Sequence, residues 1–327
     1  MKTRSPGNLR RSLLFLSLLG MIPAGCTATL PRDHVVGPKT YEGAVDIRIR
    51  GFRRTYLVHV PPGDRPETPV PLVVVLHGAF DTAEGMEKTS GFSRLADRER
   101  FIVLYPNGMG ILGFLQHWNA GHCCGKAADD RLDDVGFVAA TIEDVSARLN
   151  VDRDRVYMVG FSNGGMLAYR FAAERGDLLA AVAPMAASIG GKPSGKDPEW
   201  RIPDPVRRLP ILVVHGLSDN VVPHAGGSPA RGGSRTYWSV EESVKFWVAR
   251  NGCSPRGTDR SLQDGAVLRT SWAGCNDNAD VSLLLIRDWG HVWPGKHFTA
   301  ALPEGDPLRD FDAPEILWDF FRSHPRR

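Results

Sequence analysis

Clustered charge of one sign is missing from this chain. Its 327 residues hold 40 Lys and Arg against 37 Asp and Glu, for a formal net charge of only +3. The basic residues are scattered, which excludes the continuous basic face of a nucleic-acid binder. Cysteine is sparse: there are five, with no Cys-x-x-Cys pair. His122 beside Cys123 has no second ligand at helical or turn spacing, so no metal site is expected. No apolar run reaches the ~20 residues of a membrane-spanning helix; Leu13–Ile22 comes nearest. No repeat period appears, which excludes a solenoid or propeller. No linker-like stretch divides residues 40–327, so they read as a single domain.

Hydrophobic residues make up 42% of the chain, enough for a substantial core. The N-terminus has the layout of a secretion signal over residues 1–26. Lys2, Arg4, Arg10 and Arg11 precede the apolar Leu13–Ile22, and small residues follow, ending at Ala24-Gly25-Cys26. Gly25-Cys26 resembles a lipobox. Lipidation of Cys26, which would tether the protein to a membrane, and simple cleavage nearby are both open. Residues 27–39 read as a tether. Export implies an oxidising compartment, where cysteines pair. Cys253 and Cys275 flank a strand-like stretch, Val267–Trp272, and are expected to pair. The adjacent Cys123 and Cys124 would form a vicinal ring or remain thiols.

Val45–Ile49 and Thr55–Val60 alternate with period two around Gly51, a hairpin signal. Leu72–Leu76, Phe101–Tyr105, Val156–Val159, Ala180–Ala183, Ile211–Val214 and Val281–Ile286 are continuous aliphatic runs. Such runs mark strands buried on both faces of a parallel sheet. Helical periodicity occupies Asp134–Leu149, Trp238–Arg250 and Ala313–Phe321. The alternation predicts an α/β fold, a mostly parallel sheet with helices on both faces. Residues 189–210 and 222–235, rich in Gly and Pro, read as insertions or rims.

Within that frame, Gly160-Phe161-Ser162-Asn163-Gly164 follows a buried-strand signal and precedes a helix-like segment. Strand, Gly-x-Ser-x-Gly, helix is the context of a nucleophile elbow. Serine needs a base to take its proton and a carboxylate to orient that base. In sheets of this kind the acid and then the histidine follow the serine in chain order. Asp219 comes directly off the strand-like Ile211–Val214, whereas Asp204 lies before it and ranks lower. His291, in Asp288-Trp289-Gly290-His291-Val292-Trp293-Pro294-Gly295, follows the last apolar run; His297 is the second choice. An oxyanion hole needs two backbone N–H groups. Asn163, after the serine, supplies one. The loop Leu76-His77-Gly78-Ala79-Phe80 supplies the other, from Ala79 or alternatively Phe80. His77 precedes the serine and reads as structural.

These motifs together resemble the secreted polyhydroxybutyrate depolymerase and feruloyl esterase family (carbohydrate esterase family 1, with its LpqC-like lipoprotein esterases). The residues that carry the likeness are His77-Gly78-Ala79, Gly160 through Met166, His215-Gly216 with Asp219, and Gly290-His291-x-Trp293-Pro294-Gly295. Trp118-Asn119-Ala120-Gly121, Cys123-Cys124 and Asp133 through Phe137 strengthen it. The resemblance implies an α/β-hydrolase fold, a Ser162-Asp219-His291 triad, no cofactor, and an ester substrate linked to a polysaccharide or drawn from a polyester. Trp118, Trp293 and Trp289 are expected to line an acyl pocket, because tryptophan offers a broad apolar face. Asp133 and Asp134 are expected to cap the following helix. A peptidase of the same fold and a non-catalytic surface-binding lipoprotein are the competing readings.

Overall fold

The computed structural model of the protein describes residues 39–49, 52–63, 68–111 and 114–326. The expected signal, and the expected tether up to residue 38, lie outside the described residues. Lys39, placed in the tether by sequence, instead opens the first strand. The hairpin is longer than its alternation suggests, because pairing continues to Lys39 opposite Val60.

The central sheet has ten strands among the described residues. They are β1 (Lys39–Ile49), β2 (Phe52–Val60), β3 (Val70–Leu76), β4 (Ile102–Pro106) and β5 (Val151–Phe161). After these come β6 (Ala181–Met185), β7 (Ile211–Gly216), β8 (Thr258–Leu262), β9 (Val267–Trp272) and β10 (Val281–Ile286). Their spatial order is β1-β2-β4-β3-β5-β6-β7-β10-β9-β8. The stretch from β4 to β10 is parallel, and antiparallel strands close both edges. All six aliphatic runs are the parallel strands. β8 escapes the sequence reading because Thr258–Ser261 are exposed and polar, held at the sheet edge by backbone pairing to β9 and by the Thr270 hydroxyl donating to Asp259.

Helices cover both faces, as the α/β alternation requires. On one side lie α3 (Asp134–Arg148), α4 (Asn163–Arg175) and α5 (Val240–Arg250). On the other lie α1 (Ala83–Ser90), α2 (Phe92–Glu99) and α6 (Ala313–Arg322). Strand β3 shows the consequence. Leu72, Val74 and Leu76 pack with Val138, Ile142 and Leu167, while Val73 and Val75 join Met86, Leu95 and Leu317. Truncating one such aliphatic residue to Ala costs about 2–5 kcal/mol. The pair α1–α2 is not evident from periodicity. Each is short, and Gly91 between them sits at φ 80°, where glycine is tolerated and the helix breaks.

Two polar features tie the core together. Arg54 and Asp134 pair at 2.8 Å with both side chains buried, and Asp134 also accepts the Asn119 N–H. Of the two expected caps, only Asp133 acts as one, accepting from the Gly136 N–H; Asp134 turns inward to Arg54. His77 is fully buried. Its Nδ1–H donates to the Gly78 carbonyl at 2.7 Å and its Nε2 accepts from the Gly108 N–H at 3.0 Å. Burial pushes His77 down to about 4 and His122 down to about 3.

Cys253 and Cys275 are joined, 22 residues apart in sequence, and Cys123 pairs with Cys124 across a cis peptide. Closing a loop of that length restricts the unfolded chain by about 3 kcal/mol. The double variant C253S/C275S should lower the unfolding free energy by about that amount in urea titrations; an unchanged midpoint would contradict it. The buried histidines predict acid lability. An unfolded histidine gains its proton near pH ~6.5, whereas folded His77 and His122 resist until about 4 and about 3. Their stabilising contribution is therefore complete above that range and declines as pH falls through it, by up to about 1.4 kcal/mol per pH unit for each histidine. Urea midpoints at pH 7 and pH 4.5 test this, with the lower value expected in acid.

Candidate active site

The turn from β5 to α4 is built without spare room. A Cβ on Gly160 would lie 2.2 Å from the Gly164 carbonyl oxygen. One on Gly164 would lie 2.3 Å from the His77 oxygen, and one on Gly165 would lie 2.7 Å from the Met185 oxygen. The turn is thus wedged between the ends of β3 and β6, and only glycine fits at the three positions. Ser162 takes φ 54° and ψ −121°, a conformation costly for any residue with a side chain. Its N–H is anchored to the Met185 carbonyl at 2.9 Å.

Three side chains distant in sequence converge there. His291 Nε2 lies 2.8 Å from Ser162 Oγ, and His291 Nδ1 lies 2.7 Å from Asp219 Oδ2. Since a carboxylate only accepts, Nδ1 carries the proton of that bond and Nε2 is left to accept from the serine hydroxyl. The three residues follow β5, β7 and β10, at the carboxyl ends of parallel strands, where open α/β sheets gather their reactive groups. Asp219 Oδ1 accepts the Val221 and Val222 N–H groups, each at 2.9 Å. Burial works to raise the Asp219 carboxyl, but the bond and charge of His291 and the two amides outweigh it and hold it below the usual range. His215 Nε2–H donates to the Val222 carbonyl at 2.9 Å and braces the same turn. The second choices fall elsewhere. Asp204 pairs with Arg201 and Arg250, and His297 is exposed, set edge-on to Phe298.

The loop after β3 reaches the serine from the other side. A Cβ placed on Gly78 would sit 3.5 Å from Ser162 Cβ, so the backbone there approaches the hydroxyl closely. Phe80 N–H is already committed to the Gln116 carbonyl at 2.8 Å, which removes the alternative to Ala79. The Ala79 N–H has no acceptor among the described residues, nor has that of Asn163 in the first turn of α4. The Asn163 side chain has a task that its place in the motif does not reveal. Its Oδ1 accepts the Trp118 N–H at 2.7 Å and its Nδ2 donates to the Trp118 carbonyl at 3.0 Å.

Two of the three tryptophans expected in an acyl pocket belong to the core. Trp118 is fully buried, its Nε1–H bonded to the His77 carbonyl, and its ring stacks with Phe137. Trp293 is buried against Phe92 and Phe161, with Nε1–H on the Ser90 carbonyl. Each indole N–H finds its acceptor inside, so neither ring faces solvent. Trp289 is half-buried and donates to the Val292 carbonyl. The exposed apolar side chains adjoining the site residues are Phe80, Leu217 and Val292. Among the described residues no three His, Cys, Asp or Glu side chains gather to hold a metal ion.

This arrangement sits in a chain with recognisable relatives. Residues 54–194, which include the loop after β3 and the β5–α4 turn, match the family described as esterase PHB depolymerase. The chain is 30% identical over 270 residues to the "putative esterase NocK" of Nocardia uniformis subsp. tsuyamanensis, covering 78% of this chain and 75% of that one. It is 26% identical over 328 residues to feruloyl esterase D of Neurospora crassa, covering 95% and 97% of the two chains. The fold is similar to that of the acetyl xylan esterase from Aspergillus awamori, with a TM-score of 0.54 at 15% identity over 77% of this chain and 94% of that one. The expected α/β-hydrolase fold is therefore the one observed, and by fold, motif and kinship the chain belongs to the PHB depolymerase esterase family, a family of ester hydrolases.

Proposed function

We propose that this protein is an exported carboxylic ester hydrolase in which Ser162, His291 and Asp219 form the catalytic triad. Ser162 Oγ attacks the ester carbonyl carbon while His291 Nε2 takes the hydroxyl proton. The carbonyl oxygen, now negative, is met by the N–H groups of Ala79 and Asn163, each worth about 3–4 kcal/mol to the transition state. His291 passes its proton to the departing alcohol oxygen. Water then attacks the acyl-serine, again through His291, and frees the acid. Asp219 keeps Nδ1 protonated and stabilises the imidazolium that forms. The observation that carries this reading is the unbroken hydrogen-bond chain Asp219–His291–Ser162.

Residues 40–327 act as one catalytic domain in this reading, exported by the 1–26 segment and held at the envelope if Cys26 is lipidated. The substrates are esters of the kind the relatives are named for, feruloyl and acetyl groups carried on polysaccharide, with hydroxyalkanoate esters as the family's name suggests. A panel of methyl ferulate, acetylated xylan and hydroxybutyrate oligomers ranks these classes.

Ser162→Ala should reduce turnover of p-nitrophenyl acetate by at least roughly 10⁴-fold and abolish fluorophosphonate labelling, with an unchanged circular dichroism spectrum. Retained turnover in that variant would end the assignment. Asp219→Asn should reduce kcat by about 10³–10⁴-fold, because the amide no longer enforces the Nδ1–H tautomer. A loss confined to KM would instead make Asp219 a binding group.

A further inference from the structure

Phe80 is an outlier in two respects, and neither favours folding. It is 68% exposed, the most exposed of the large apolar side chains among the described residues. It also sits at φ 67°, a region that bulky residues rarely enter. An exposed ring recovers little hydrophobic free energy, and the backbone conformation costs stability, so the surroundings must impose both. They do. Phe80 N–H is held by the Gln116 carbonyl, and Asp81 bridges Gln116 in antiparallel fashion. Gln116 belongs to a short ribbon formed by Met109–Ile111 and Phe114–His117.

That ribbon also supports the ring. His117 meets Phe80 edge-on, with centroids 4.5 Å apart and planes at 77°. Such a contact fixes the ring while leaving a face open. Leu115, two residues before His117 in the same ribbon, is likewise exposed at φ 53°.

Topology decides which part of a substrate this wall meets. Strand β3, which leads to Ala79 and Phe80, flanks β5 on one side. Strands β6, β7 and β10, which lead to Asp219 and His291, lie on the other. The departing alcohol oxygen must lie within reach of His291 to take its proton. The acyl substituent is then left to the Phe80 flank. We infer that Phe80, braced by His117, is an acyl-side platform that selects esters of aromatic acids. This rests on the serine-hydrolase reading and adds to it a residue that sets acyl specificity.

The test uses three esters with wild type, Phe80→Gly and Phe80→Tyr. Methyl cinnamate and methyl acetate differ only in the acyl group; phenyl acetate places the ring on the alcohol. Loss of one aromatic contact corresponds to about tenfold, so the cinnamate-to-acetate ratio of kcat/KM for the methyl esters should fall about tenfold in Phe80→Gly and return in Phe80→Tyr. Glycine accepts φ 67° without strain, so the denaturation midpoint of Phe80→Gly should not drop. An unchanged ratio in an active enzyme overturns the inference alone. A selective loss on phenyl acetate overturns it too, by moving the ring to the alcohol side. A wild type that cleaves none of the three and resists fluorophosphonate overturns the hydrolase reading and the inference with it.

Discussion

The structure depends on the absence of space at one turn. The backbone between β5 and α4 touches the carbonyl oxygens at the ends of β3 and β6, so a methyl group at Gly164 or Gly165 would collide with them, and one at Gly160 would collide with the Gly164 carbonyl of the turn itself. That contact holds Ser162 at a dihedral pair it would not choose alone. The rigidity comes from the sheet. Parallel strands covered on both faces pack at crystal-like density, so the strand ends cannot give way to relieve the turn. A hydroxyl on such a support needs no further ordering to meet a substrate, which is the sense in which the strain is useful.

Around that turn, polar groups hold other polar groups. Asp219 meets His291 and two backbone amides, so its charge is balanced even though its side chain is sealed from water. His215 braces the Asp219 turn, and His77 ties its own loop to Gly108. Asn163 grips the backbone of Trp118, whose indole in turn bonds the His77 carbonyl. These contacts link the loop after β3, the first turn of α4 and the segment at Trp118 into one hydrogen-bonded unit. A buried polar group without a partner costs about 1–3 kcal/mol, so changes to these supporting residues are felt at the serine without touching it.

Much of the site was legible because each member of the proposed triad directly follows a strand that announces itself. A run such as Ile211–Val214 or Val281–Ile286 can only be a doubly buried strand or a core helix, and the flanking turn residues favour the strand. Asp219 and His291 inherit their positions from that. The tryptophans were not legible in the same way. A tryptophan beside a motif suits a pocket or a core equally well, and only packing shows that Trp118 and Trp293 have their indole N–H groups satisfied inside. β8 was invisible because an edge strand held by backbone pairing requires no apolar residues. Phe80 appeared in the sequence only as an alternative oxyanion donor. Its hydrogen bond to Gln116 rules that out and leaves its ring as the feature to be explained.

By itself the sequence determined the α/β architecture, the six parallel strands and the identity of the residues able to meet at their ends. Burial on two faces and glycine at crowded turns leave marks in composition and spacing that need no coordinates. Only the tertiary structure decided how far apart those residues stand, which N–H groups near the serine remain uncommitted, and which aromatic rings are walls and which are filling. Those properties arise from contacts between segments distant along the chain, such as the 129 residues separating Ser162 from His291, and no local pattern encodes them.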